Sequence, residues 1–313
     1  GGVPFIPFQQ DTKPMRIEKD ALGEMPLPDG AYYGIQAFRS LSNFDVTDKT
    51  FNDYPAVVRA LAEIKKACAL ANRDIGALGA DKAGAIVRAC DDILEGRMEG
   101  QFPVNIWRGG GTSINMNLNE VIANRANELL TGHKGYEQVH PNTHVNMCQS
   151  SNDVYPTAEN IVLYRETGRA LEGVAALENS FARKSKEFGG VVRLGRTCLQ
   201  DGVPMTLGQV FAGFHGVIRR SRERLETLRE GFRVGVLGGT VIGTGLGVLP
   251  GYVEAVYPHL SAIVGFEMHL PDTPEGSPVS DAGLFDAMQN ADGLLTLSGA
   301  LKVLACSARK IAN

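Results

Sequence analysis

Two long stretches of the chain keep apolar side chains at helical spacing, and they constrain the fold more than any other feature. In 155–188 and in 206–232, apolar residues recur every three or four positions and so lie on one side of a helix. Helices of roughly 30 residues are long for a globular protein. One such helix cannot bury its apolar side alone, so two in succession predict a helix bundle.

Shorter helical patterns lie on both sides of this pair. The spacing predicts further helices over 54–72, 81–95, 117–130 and 252–264, and a long final helix over 281–313. Strand signals are sparse, and we expect at most a short hairpin within 15–44, where Pro28-Asp29-Gly30 is a turn signal. The predicted fold class is therefore all-α.

The order of these patterns predicts two helical domains. Residues 1–14 are proline-rich, and we interpret them as a leader outside the folded part. Between 133 and 150 the chain passes from short to long helices through Gly- and Pro-containing sequence. We therefore expect a small N-terminal helical domain over 15–145 and a central helical-bundle domain over 146–313.

Composition excludes several classes of function. The chain has 313 residues, with 31 Lys and Arg against 35 Asp and Glu, for a net charge of −4. A nucleic-acid or anionic-membrane binder shows a basic excess, which is missing here. The longest uncharged run, 234–253, holds seven glycines and Pro250 and is a poor membrane helix. We expect neither nucleic acid nor membrane as a partner.

The cysteines and histidines indicate a reducing compartment without a metal site. The five cysteines are widely spaced with no CxxC pair, which is typical of reduced thiols in the cytoplasm. His140 and His144 lie four residues apart, a spacing that suits a metal only on a helix. Pro141 and Asn142 between them favour a turn, so we expect no metal there.

Three segments place small hydroxyl or amide residues immediately before a predicted helix start. Their candidate binding residues are Thr112, Ser113 and Asn115 in the first, Ser150, Ser151 and Asn152 in the second, and Thr197 and Cys198 in the third. A helix start offers free N–H groups and a positive dipole end, and therefore attracts anions. Neutral donors there can stabilise a carbanion delocalised into a carboxylate. They predict a small-dicarboxylate site, with plain helix capping as the alternative.

These segments resemble the aspartase/fumarase superfamily, and the resemblance extends over essentially the whole chain after Met15. The matching stretches are 32–34, 111–121, 140–142 through 149–153, 195–197, 199–201, 203–207, 206–209, 243–246, 298–302 and 310–313. Any one of them alone is a weak signal, whereas together they are highly specific.

The resemblance implies a carbon–nitrogen lyase that converts L-aspartate to fumarate and ammonia by anti elimination through an aci-carboxylate intermediate. It implies no cofactor and a homotetramer whose active sites are shared between subunits. Thr112, Ser150 and Ser151 would hold the β-carboxylate. Asn152 and Thr197 would contact the amino group or the α-carboxylate.

Within the superfamily two activities remain open. Thr112-Ser113 followed by Asn115 resembles aspartases, while Trp107 and the pair Ser150-Ser151 lean toward fumarate hydratase, which interconverts L-malate and fumarate. A non-catalytic helical assembly protein is a third alternative. Cys198 stands where many members carry His or Gln, which leaves the fine specificity open.

One signature of the superfamily is missing from the sequence. It is a Gly-Ser-Ser loop followed by Pro-x-Lys-x-Asn, which supplies the serine base and α-carboxylate ligands; Gly276-Ser277-Pro278 does not match it. By the family pattern the sequence stops at Asn313 before this loop and before the C-terminal domain. We therefore expect the general base beyond Asn313, and little or no activity from these residues alone.

Overall fold

Helices make up most of the described chain. The computed structural model describes residues 14–43, 46–107, 111–273, 275, 277 and 282–313. Its α-helices are α1 (Ile35–Asn43), α2 (Pro55–Asp74), α3 (Ala80–Leu94), α4 (Thr112–Thr131), α5 (Ser151–Glu187), α6 (Leu207–Glu230), α7 (Tyr252–Val264), α8 (Ala282–Gln289) and α9 (Asp292–Ala312). The prediction of an all-α fold with two long helices is confirmed.

The first hairpin turns at a different place from the one predicted. Strands β1 (Met15–Asp20) and β2 (Gly23–Pro28) pair antiparallel. Their turn is closed where Leu22 N donates to Asp20 Oδ1 at 2.9 Å, and Gly23 adopts a φ of 114°. The sequence 28–30 follows β2 instead and turns the chain toward α1. A Pro-Asp-Gly signal indicates a turn but not which two elements it joins.

The third candidate segment does not stand immediately before a helix. It forms an unpredicted antiparallel hairpin of β3 (Val192–Thr197) and β4 (Gln200–Thr206), with Thr197 and Cys198 exposed at the tip. Helix α6 begins only after β4, where Thr206 and Gln209 form a capping box. Because both faces of this hairpin are largely exposed, it carries no clean alternation of buried and polar residues.

The long final helix is also two helices rather than one. Helices α8 and α9 are separated at 290–291 and bent by 52° relative to each other. Asn290 bonds its amide back to Asp286 Oδ1 at 2.6 Å, and Asp292 opens the next helix. Short polar side chains of this kind compete with the helical hydrogen bonds. Asp281, the predicted start, lies outside the described residues.

Helix α2 lies at the centre of the main hydrophobic core. It packs against α3, α5 and α7, and its Leu61 and Ile64 are fully buried. The same core continues to Tyr252 and Leu260 of α7. A second small cluster joins α5, α6 and α9 through Leu171, Leu225 and Leu297. The division at 145/146 stays a prediction.

No single helix in the described ranges is long and apolar enough to cross a membrane, although α8 and α9 pass that test together as a bent pair.

Candidate functional site

The N-termini of α4 and α5 meet, and a glycine permits the contact. Gly111 precedes α4 with a φ of 90°, in the left-handed region. A Cβ atom at this position would lie 2.7 Å from Cγ of Tyr155, in the first turns of α5. Thr112 and Ser113 open α4 beside this contact, and Thr112 is exposed.

Ser150 caps α5 and begins the second predicted segment. Its Oγ accepts a hydrogen bond from Asn152 N at 3.2 Å, and its own N donates to Asp153 Oδ1 at 2.9 Å. These two bonds form a capping box between Ser150 and Asp153. Ser150 and Ser151 are half-buried and Asn152 is exposed, so all three remain accessible.

Asp153 ties this serine segment to a glycine-rich turn. Its buried carboxylate accepts from Thr240 N at 3.0 Å through Oδ2, and Asn152 Nδ2 donates to Val241 O at 2.8 Å. Burial raises the pKa of Asp153 to about 7, against the lowering effect of its backbone donors. The start of α5 is therefore tied to the turn that contains Thr240 and Val241.

A single amide joins the first two segments. Asn115 lies one turn inside α4 and is buried, and its Nδ2 donates to Ser151 Oγ at 3.0 Å and to Asn146 Oδ1 at 3.2 Å. The structure thus brings six predicted residues into one region: Thr112, Ser113, Asn115, Ser150, Ser151 and Asn152. In the described chain, no hydrogen bond joins Thr197 or Cys198 to this region.

Lys65 is a member of this region that sequence reasoning missed. Its side chain is fully buried, and Nζ donates to Asn146 Oδ1 at 2.9 Å and to Gln149 Oε1 at 2.8 Å. Burial lowers its pKa to about 8. A signal was present, because Lys65 follows Leu61 by four positions on the apolar side of α2.

Helix α4 also carries buried amide oxygens without partners. Asn115, Asn117 and Asn119 are buried, and the Oδ1 atom of each lacks a hydrogen bond within the part of the chain that the structure describes. Buried polar atoms are usually paired, and an unpaired one costs about 1–3 kcal/mol. One of these unpaired acceptors is Oδ1 of Asn115, whose Nδ2 donates to Ser151 Oγ.

His140 and His144 take part in local hydrogen bonds. The predicted turn is one turn of π-helix, Pro141–Val145. His144 Nδ1 accepts from His140 N at 2.8 Å, and its Nε2 lies 3.1 Å from Lys82 Nζ, so both ring nitrogens have neighbours. Among the described residues, no group of three or more His, Cys, Asp or Glu is arranged to hold a metal.

Comparison with known proteins agrees with this fold. A family model described as Lyase matches residues 23–313. The chain is 42% identical over 301 residues to aspartate ammonia-lyase of Bacillus sp. It is 41% identical over 302 residues to fumarate hydratase class II of Ralstonia nicotianae.

Solved structures give the same answer. A fumarate lyase:delta crystallin from Brucella melitensis bound to cobalt matches with a TM-score of 0.89, 44% identity and 96% of this chain covered. A recombinant class II fumarase from Schistosoma mansoni matches with a TM-score of 0.84, 34% identity and the same coverage.

The fold and these matches therefore identify the chain as an all-α member of a family of lyases. The chain belongs to the lyase family whose family model matches it and, within that family, to the fumarase/aspartase superfamily. It spans 62% of the length of the Bacillus relative, 63% of the Ralstonia relative and 63% of the Brucella chain.

Proposed function

We propose that this chain carries the carboxylate-binding part of an aspartate ammonia-lyase, which converts L-aspartate to fumarate and ammonia. The observation that carries the proposal is the hydrogen bond from Asn115 to Ser151, which joins two helix N-termini. Around it Thr112, Ser150 and Ser151 are at least partly accessible. Two dipole ends and neutral hydroxyl donors suit one carboxylate of a four-carbon dicarboxylate.

The proposed chemistry is an anti elimination. A base removes a proton from the carbon beside the β-carboxylate, and the electron pair of that C–H bond moves into the carboxylate. The resulting aci-carboxylate carries extra negative charge, which Thr112, Ser150 and Ser151 stabilise with preorganised donors. The electrons then return to form the carbon–carbon double bond as the C–N bond breaks and ammonia leaves.

The remaining roles involve more than one copy of the chain. Asn152 and Thr197 are proposed to contact the amino group or the α-carboxylate, with Cys198 beside them. Because Thr197 and Cys198 lie at an exposed hairpin tip next to Leu199, which is 90% exposed, we assign them to the active site of a neighbouring subunit. A homotetramer with shared sites, located in the cytoplasm, is part of the proposal.

The proposed base is a serine in the Gly-Ser-Ser loop, a motif that these residues do not contain. We expect the 313 residues alone to bind fumarate but to release little or none from L-aspartate. The loss of the base and of a carboxylate-binding lysine together removes most of the stabilisation of the transition state.

Fumarate hydratase is the second candidate. It is favoured by the pair Ser150-Ser151 and by the Ralstonia relative, whose 41% identity is nearly that of the Bacillus one. Both reactions share fumarate and an aci-carboxylate, so the donors described here serve either. The substrates separate them, because only one of L-aspartate and L-malate should be turned over by a chain extended past Asn313.

The test begins with fumarate binding to this chain by isothermal titration calorimetry. We expect binding by the wild type and a loss of about tenfold in Ser151→Ala, because one hydrogen bond to a charged group is removed. Ser180→Ala is the matched control, since its hydroxyl donates to Ala176 O and accepts from Arg183 Nη2, and both partners lie on α5 itself. Equal losses in both variants, or no binding by the wild type, would contradict the proposal. Fumarate formation from L-aspartate and L-malate is assayed in parallel.

A further inference from the structure

Lys65 differs from the other charged side chains on α2 because it has no oppositely charged partner in an ion pair within the described chain. Its neighbour Lys66 pairs with Asp91 at 2.6 Å, and Glu63 pairs with Arg165 at 2.7 Å. Lys65 forms no ion pair within the described chain, although it is fully buried. The hydrogen bonds that its ammonium donates in the described chain go to two amide oxygens of the segment that leads into α5. Burying an uncompensated cation is costly, which calls for a role.

We propose that Lys65 is a positioning residue of the dicarboxylate site, acting through Asn146 and Asn115 on Ser151. The inference rests on the proposed function and adds a residue to it. Lys65 does not touch the substrate. It fixes which way the buried amides face and adds a positive charge behind the hydroxyl donors.

The amide orientation follows from the donors that meet at one atom. Asn146 Oδ1 accepts from Lys65 Nζ at 2.9 Å and from the Nδ2 atoms of Asn115 and Asn119 at 3.2 Å each. If the Asn146 amide turned over, its NH2 group would face three donors. An ammonium has no acceptor capacity, so Lys65 excludes that orientation.

Gln149 reinforces the same arrangement. Its Nε2 donates to Val145 O at 3.1 Å and to Met147 O at 3.0 Å, and this leaves Oε1 to face the ammonium. Asn146 Nδ2 in turn donates to Gln149 O at 3.2 Å. The ammonium therefore selects the oxygen end of both amides that precede α5.

Asn115 connects the fixed orientation of the Asn146 amide to the hydroxyl of Ser151. With Asn146 fixed, Asn115 Nδ2 has an acceptor on each side, Asn146 Oδ1 and Ser151 Oγ. Because Ser151 Oγ accepts this bond, its own proton is free to point toward a ligand. A hydroxyl used as a donor is what a carboxylate requires.

The charge of Lys65 is opposed by few groups near neutral pH. The groups that act on it are Cys68 on α2, Cys90 on α3 and Asp153 on α5. Burial raises the pKa of Cys68 to about 12 and that of Cys90 further, so both thiols stay neutral. Tyr252 on α7, which bonds Cys68, is also neutral because burial raises its pKa. Of the groups named here, Lys65 and Asp153 are the two that change charge between pH 6 and pH 9.

The test is fumarate affinity in Lys65→Met, which keeps length and apolar contacts but removes charge and donors. We expect the affinity at pH 7 to fall tenfold or more, with unchanged circular dichroism. Lys66→Met is the matched control and should bind like the wild type. Wild-type affinity should decline from pH 7 to pH 9 as the ammonium deprotonates. In Lys65→Met the decline should be smaller, because only the contribution of Asp153 remains.

A wild-type measurement covers the case in which Lys65→Met does not fold. In a sample labelled with 15N-asparagine, side-chain amide signals of Asn115 and Asn146 should shift together with a midpoint near pH 8. Signals that stay fixed over that range would overturn the inference, as would a folded Lys65→Met that binds fumarate like the wild type. Absence of fumarate binding by the wild type would remove the proposed function and this inference together.

Discussion

The joined N-termini of α4 and α5 and the β3–β4 hairpin both carry predicted site residues, but they are built in opposite ways. At the joined N-termini, buried residues of the same chain, such as Asn115 and Asp153, hold the donors in place by hydrogen bonds. On the hairpin, Cys198 and Leu199 are exposed, with φ values of 47° and 64°. The joined N-termini are preorganised by buried residues of this chain, whereas the hairpin exposes its residues to solvent.

This difference predicts unequal consequences of similar substitutions. At the joined N-termini a lost side chain leaves buried groups unpaired, which costs free energy of unfolding. On the hairpin it leaves groups that water can satisfy. Four predictions test this contrast.

The largest effect is expected for Asp153→Ala. The substitution leaves the N–H groups of Ser150 and Thr240 without their acceptor, and we expect a loss of about 3 kcal/mol in the free energy of unfolding. Urea denaturation followed by circular dichroism measures it. Asp201→Ala on the hairpin removes only an exposed ion pair with Arg196 and should leave the urea midpoint unchanged. Similar losses in both would break the comparison.

A smaller loss is expected for Gly111→Ala. The new Cβ meets Cγ of Tyr155 at 2.7 Å and the backbone is left-handed, so about 2 kcal/mol and part of the fumarate affinity should be lost. Gly84→Ala is the control, because it lies inside α3 with open space around it. That control should gain about 0.5–1 kcal/mol from helix propensity. A Gly111→Ala variant as stable as the control would contradict the close approach of the two helix starts.

The pH dependence of stability should come from buried carboxyls and not from the hairpin. Burial raises the pKa of Glu120 to about 7, although it accepts three backbone N–H groups at the start of α1. The folded state therefore binds a proton that the unfolded state has released. Stability should fall as pH rises from about 4.5 to 7, by up to ~1.4 kcal/mol per unit, and then level off.

Urea denaturation between pH 4.5 and pH 8 measures this slope. Glu120→Gln should remove its share of the slope and leave the share of Asp153, whose pKa burial also raises to about 7. Asp201→Asn should leave the slope as in the wild type. A wild-type stability that rises with pH over this range would contradict the assignment.

The smallest effect concerns Cys198. Its thiol is exposed and should react rapidly with a disulfide reagent, whereas Cys68 and Cys90 are buried with raised pKa values and should not react in the native state. Cys198→Ser should not change stability. The reaction is followed in a Cys306→Ser background, because Cys306 is also exposed. If sites are shared between subunits, fumarate should slow the modification; an unchanged rate would count against Thr197 and Cys198 as site residues.

What the sequence predicted well follows from local periodicity. The apolar spacing located α2, α3, α5, α6 and α7 within a few residues, because each helix buries one side against α2 or its partners. It missed the break between α8 and α9, since the apolar pattern continues across the break, where Asn290 bonds back to Asp286.

The site was predictable in part for a similar reason. Ser150 and Asp153 form a capping box that four consecutive residues specify. The third segment failed because Gly195, Gly202 and Pro204 interrupt the alternation of the strands, so a hairpin resembled a loop. Lys65 was missed because a lysine next to another lysine is typical of a solvated helix face. Its burial depends on contacts with residues more than 80 positions away.

The most direct test of the central claim is a crystal structure of this chain with fumarate bound. The account predicts a fumarate carboxylate within hydrogen-bond distance of Thr112 and of Ser150 or Ser151, at the joined starts of α4 and α5. A fumarate that binds elsewhere while these three hydroxyls contact only water would contradict it.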